Sequence, residues 1–121
     1  MTEWMNMGGA LITLSMACMG LLKPGWAANI VGLEAISAPG KSEFRATYGG
    51  LFVPLGLIPL VTMEPLAFLI SGMCWLGAAA GRLLSIMLDD ANTLKNWGAT
   101  TFEAAMAFLL LIGTPMSVLL R

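Results

Sequence analysis

Four runs of predominantly apolar residues, at about 4–22, 43–62, 65–88 and 97–120, are separated only by short polar connections in this 121-residue chain. A helix needs about 20 apolar residues to cross the hydrocarbon core of a bilayer. The four runs therefore predict an all-α fold, a four-transmembrane-helix bundle forming a single integral membrane domain over 1–121. Composition agrees. Hydrophobic residues make up 58% of the chain and charged residues 11%, against about 45–50% and about 25% in a soluble domain. The apolar content excludes a disordered chain. With six basic and seven acidic residues the net charge is −1, so no basic patch exists to hold nucleic acid. The connections leave no room for an extramembrane domain.

The chain has no histidine. That removes the commonest metal ligand, the usual axial ligand of haem or chlorophyll and the usual proton shuttle near neutral pH. Cys18 and Cys74 lie in apolar runs without a C-x-x-C spacing and read as buried structural thiols. The ten methionines read as core filler. No metal site, no catalytic residue and no cofactor is expected, beyond a bound lipid or quinone. Catalysis would call for histidine, an activated nucleophile or a metal constellation.

The first run ends at Lys23-Pro24-Gly25, a charge followed by two helix stoppers. It starts with Glu3 rather than with basic residues and precedes no small-residue cleavage site, so it reads as a retained helix. Over residues 24–42, Trp26, Ile30, Leu33 and Ile36 recur at helical spacing among Asn29, Glu34 and Ser37. This predicts a short interfacial amphipathic segment between helices 1 and 2, anchored by Trp26 and ended by Pro39-Gly40. The second span takes Ser42 as its N-cap, and Pro54 and Pro59 bend its second half. Glu64-Pro65 makes a tight turn, with proline first in the third helix and a carboxylate at its positive end. Gly77 and Gly81 form a G-x-x-x-G that lets another helix of the bundle approach closely, and Ala104 and Ala107 offer small residues on the fourth helix. Trp97 marks an interface, and Gly113-Thr114-Pro115 distorts the last turns.

The charges carry the functional information. Spans alternate in direction, so the start of the second, the end of the third and the start of the fourth share one membrane face. Glu43, Arg45 and Tyr48 belong to the first of these ends, and Arg82, Ser85 and Asp89 share one helical face at the second. Glu103 lies about six residues into the fourth span and Arg82 about six from the end of the third, each about 9 Å below the same surface. Charge is expensive at that depth, so Arg82 and Glu103 are the natural pair, with Glu43, Arg45 and Tyr48 extending the network. The cluster is either structural glue between helices, a polar pocket for a lipid headgroup, quinone or small amphiphile, or a catalytic or proton-handling site. Lys23, Lys41, Lys95 and Arg45 lie in or beside the first and third connections, which places both connections in the cytoplasm and both termini outside.

Glu43-Phe-Arg-Ala-Thr-Tyr-Gly-Gly50 resembles the E-x-R-A-x-Y-G-G signature of a bacterial family of small four-span integral membrane proteins classed as a domain of unknown function. Gly81-Arg-Leu-Leu-Ser85 with Asp89 is similar to its G-R-x-x-S-x-x-x-D, and Glu103 to an acidic residue in its last helix. Asp90 stands where that pattern leads one to expect glycine. The resemblance implies the four-helix fold and the polar cluster but no activity.

Two function classes follow. One is a non-catalytic accessory subunit of a larger bacterial membrane complex, photosynthetic or respiratory, in the inner (cytoplasmic) membrane. It is held laterally through small-residue faces at Gly77, Ala80 and Gly81 or at Ala104, Ala105 and Ala107, with lipids and neighbouring subunits as partners. The other is a stand-alone membrane protein that binds a lipid, quinone or other small amphiphile at the charged cluster.

Overall fold

A computed structural model describes residues 1–120, which are all-α with no strand among them. Helix α1 spans Thr2–Leu22, α2 Pro24–Val31, α3 Ala38–Phe44, α4 Phe52–Thr62, α5 Pro65–Leu88 and α6 Leu94–Leu111. A wider π-helical stretch, Arg45–Leu51, joins α3 to α4, so that Ala38–Thr62 is one unbroken 25-residue rod. Three helices are long and apolar enough to cross a membrane: α1, this rod and α5. Helix α6, at 18 residues, carries Lys95 and Glu103 and is the more polar one.

Several boundaries differ from the sequence reading, each for a local reason. Gly32 adopts φ 84° and ends α2 in a left-handed cap, well before Pro39-Gly40. Those two residues lie instead in the first turn of α3, where a proline costs no hydrogen bond. Ser37, rather than Ser42, is the N-cap, its Oγ accepting from the Gly40 amide at 3.0 Å. The irregularity of the rod is the π-helical stretch, which precedes Pro54 and Pro59. The last helix begins at Leu94, capped by Thr93, and stops at Leu111; Gly113 (φ 72°) then turns the chain into a short 3-10 helix, Met116–Leu120.

The packing is that of an assembly whose solvent is lipid. Helix α1 buries a stripe of small residues (Asn6, Gly9, Ala10, Thr13, Ala17 and Gly20) at helical spacing and turns Trp4, Leu11, Ile12 and Leu22 outward. Small residues inside and large apolar ones outside is the arrangement expected where helices associate by close approach rather than by hydrophobicity. In water such a surface would be one continuous sticky patch. These features mark a membrane protein. Helices approach closely at three glycines, at two of them backbone to backbone: a Cβ on Gly56 would lie 2.5 Å from the Leu14 amide nitrogen and one on Gly20 2.7 Å from the Tyr48 carbonyl oxygen, while one on Gly72 would lie 2.6 Å from the Leu111 side chain.

The G-x-x-x-G expected to hold the bundle does not do so. Gly77 and Gly81 are exposed, with open space where a Cβ would go. Helix α5 packs instead through Phe68, Leu69, Ser71, Gly72, Trp75 and Ala79. On α6 Ala107 is buried at 3% exposure, whereas Ala104 faces outward. Cys18 and Cys74 are likewise exposed, not buried. In a chain apolar on every face of a helix, hydropathy cannot tell the lipid side from the packed side.

Buried polar groups tie the helices together. The Asn6 side-chain amide donates to the carbonyls of Leu109, Leu110 and Ile112 at 2.8–3.1 Å, so α1 satisfies the open C-terminal end of α6. The Trp75 indole N–H donates to Thr13 Oγ1 at 2.9 Å, and that hydroxyl donates to the Gly9 carbonyl at 2.8 Å.

Asp90, in the turn after α5, has φ 57°. Glycine adopts this conformation without the Cβ penalty that other residues meet. Asp90→Gly is therefore expected to raise stability by about 0.5–1 kcal/mol, read as a higher thermal midpoint in detergent. A lowered midpoint would show that the Asp90 side chain contributes more than its backbone strain costs.

Candidate functional site

The π-helical stretch shapes the site. Residues four apart lie within about 40° of one full turn of an α-helix, and that spacing recurs across the wider stretch. Phe44, Tyr48 and Phe52 thus share a face, their rings stacked at 4.4 and 6.1 Å and inclined by 13° and 4°. Gly49 and Gly20 let this stretch lie directly on α1, since a Cβ on either would strike the other helix at 2.7 Å. The series continues across the bundle: Phe52 meets Trp75 of α5 edge-on at 5.3 Å, and Trp75 meets Phe102 of α6 edge-on at 5.9 Å.

These rings form part of the wall of a cavity of about 680 Å³. Met16, Met19 and Gly20 of α1 contribute another side, and Ala27, Ile30 and Val31 of α2 a further one. Helix α2 is held in place there by Lys95, whose Nζ donates to the Asn29 carbonyl at 3.1 Å. The polar lining comes from Glu43, Thr47, Tyr48, Arg82, Ser85, Asn96 and Glu103.

Arg82 and Glu103 are joined side by side. Nε of Arg82 donates to both carboxylate oxygens, at 3.2 and 3.0 Å, and Nη2 donates to Oε1 at 2.9 Å. The side chains retain 22% and 11% of their surface. Nη1 donates to Asn96 Oδ1 at 3.1 Å, and the Asn96 amide donates to the Ala91 carbonyl at 2.8 Å. Such a two-point guanidinium–carboxylate contact fixes orientation as well as charge. The remaining candidates divide. Glu43, Tyr48 and Ser85 line the same cavity, but Ser85 donates to Asp89 at 2.7 Å rather than to the pair. Arg45 and Asp89 are exposed and do not line the cavity. Among the described residues Arg82–Glu103 is the single ion pair, and no group of three histidine, cysteine or carboxylate residues could hold a metal ion.

Sequence reasoning passed over Asn96 and the aromatic wall. A signal existed for Asn96: it precedes Glu103 by seven residues with Thr100 between, two turns along one face. A signal existed for the aromatic series as well, since Phe44, Tyr48 and Phe52 recur every four residues; its meeting with Trp75 and Phe102 had none.

Comparison with known families gives one result. A family model described as a domain of unknown function (DUF4345) matches residues 1–114. The chain belongs to that family. No curated protein and no solved structure matches it. The match takes in α1 and α2, the two elements that complete the cavity.

Proposed function

We propose that this member of the family is a non-catalytic membrane protein that binds one small amphiphile in the cavity between α1, the 38–62 rod, α5 and α6. The observation that carries this reading is a cavity of about 680 Å³ whose walls are apolar and aromatic and whose polar end holds a matched ion pair. Pockets of this size and character, apolar with a few placed polar groups, suit small ligands. A paired charge deep among apolar helices is costly to keep for packing alone. In this reading α6 is a fourth span. Its 18 residues reach about 27 Å, Lys95 lies in the first turn where it can reach the interface, and Glu103 is neutralised by Arg82. The bacterial inner membrane is the setting this reading implies, through the bacterial family whose signatures the chain resembles.

The test is to fill the cavity. Ala78 lines it without being fully buried, so Ala78→Phe should occupy the space and leave the fold intact. The protein purified in mild detergent should carry about one amphiphile per chain by native mass spectrometry and lipid extraction, and Ala78→Phe should carry less than about a tenth of that. Equal retention by both proteins, or none by the wild type, overturns the reading.

The accessory-subunit reading keeps one specific support. Gly77, Ala80 and Gly81 form an uncovered small-residue face on α5, the kind of surface a neighbouring transmembrane helix can approach. A partner subunit in a photosynthetic or respiratory complex would be lost on Gly81→Leu while the protein stays folded. Retention of the same partner by Gly81→Leu would exclude this face.

A further inference from the structure

We infer that the occupant of the cavity is an uncharged amphiphile whose head presents hydrogen-bond acceptor oxygens, a quinone-type ring fitting best, with Arg82 and Tyr48 as its donors. This rests on the binding reading above and adds the chemistry of the head.

Charge comes first. Arg82 and Glu103 cancel each other through a two-point contact. An ionised head beside them would add an unmatched charge in apolar surroundings. Glu43, the third charged group of the lining, is exposed to solvent, so neither an anionic nor a cationic head finds a buried unpaired counter-charge in the cavity.

Hydrogen bonding comes second. A guanidinium has five N–H groups. Nε–H serves both Glu103 oxygens, one Nη2 N–H serves Oε1 and one Nη1 N–H serves Asn96. Two N–H groups therefore remain, one on each Nη. The Tyr48 hydroxyl has no partner among the described residues. The other hydroxyls of the lining are spent inside the protein, Thr47 donating to the Glu43 carbonyl and Ser85 to Asp89. The Glu43 carboxylate, also in the lining, is exposed and can be served by water; the unspent groups that are partly buried in the cavity are donors, so its ligand must bring acceptors.

Shape comes third. Tyr48, Phe52, Trp75 and Phe102 line the space and stack or meet edge-on with one another. A flat conjugated ring with carbonyl oxygens packs among such rings better than a branched glycerol head.

The experiment uses a variant in which the exposed Trp4, Trp26 and Trp97 are phenylalanine, so that Trp75 reports from the cavity wall. Decylubiquinone is titrated against it in mild detergent, with monoolein, palmitate and dodecyltrimethylammonium as competitors. Saturable quenching is expected. It should weaken about fivefold in Tyr48→Phe, which loses only the hydroxyl, and similarly in Arg82→Lys, which keeps the charge but not the fork. The thermal midpoint of Tyr48→Phe should not move. Equal competition by monoolein would support the uncharged acceptor head and assign it to a glycerolipid. Preferential binding of palmitate or the ammonium amphiphile would overturn the inference while leaving the binding reading standing. Unchanged quenching in both variants would overturn the donor assignment. Binding of none of the four probes, to a wild type that also carries no amphiphile, would end both readings.

Discussion

Adding one methyl group at Gly56 is expected to cost about 3 kcal/mol, enough to abolish accumulation of a folded protein of ordinary stability under mild stress. The new Cβ would sit 2.5 Å from the Leu14 amide nitrogen and 2.8 Å from Leu14 Cα. Neither atom is the end of a flexible side chain, so α1 and α4 must move apart along their length. A smaller cost is expected at Gly72, where the obstruction is the Leu111 side chain, which can rotate. At Gly77 and Gly81, where a Cβ meets open space, alanine should be neutral or stabilising by up to about 1 kcal/mol. The measurement is the thermal midpoint of the four alanine variants in one detergent. If Gly81→Ala proved as damaging as Gly56→Ala, the outward orientation of that face of α5 would be wrong.

Breaking the pair of Arg82 and Glu103 from either side is expected to cost on the order of 3 kcal/mol, because it leaves one charge uncompensated among apolar helices. Arg82→Leu strands the Glu103 carboxylate, which is only 8% exposed, and also leaves the Asn96 carbonyl without its donor. Glu103→Leu strands the guanidinium, which keeps Asn96 and has more surface open to the cavity. Arg82→Leu should therefore be at least as damaging as Glu103→Leu. The double variant should fall short of the sum of the singles by about 1–3 kcal/mol. Detergent unfolding of the three variants decides this, and strict additivity would show that the contact contributes nothing to stability. The same double variant separates structure from function: a well-folded protein that no longer retains an amphiphile is what the binding reading requires.

Much of the molecule was legible in the sequence because its physics is local. An apolar run of membrane-spanning length, a proline at a first helical turn and a polar break each act through backbone hydrogen bonding and transfer from water, which neighbouring residues decide between themselves. The third helix, Pro65–Leu88, follows from Glu64-Pro65 and the first polar residues after the run. The matched depths of Arg82 and Glu103 follow from counting residues along two antiparallel helices. What stayed hidden depends on which face of a helix meets another. Gly77 and Gly81 have the spacing of a packing motif yet lie against nothing, while the lone Gly56, in no motif, is where two backbones touch. Hydropathy carries no information there, since lipid and protein interior are equally apolar. The π-helical turn at Arg45–Leu51 is of the same kind: local propensity favours an α-helix, and close contact with α1 accompanies the wider turn. Phe44, Tyr48 and Phe52 ride on and beside that turn, and their rings wall the cavity. Residue order along the chain thus determined that Arg82 and Glu103 could meet, and the contacts between distant segments determined that they meet beside a space large enough to hold something.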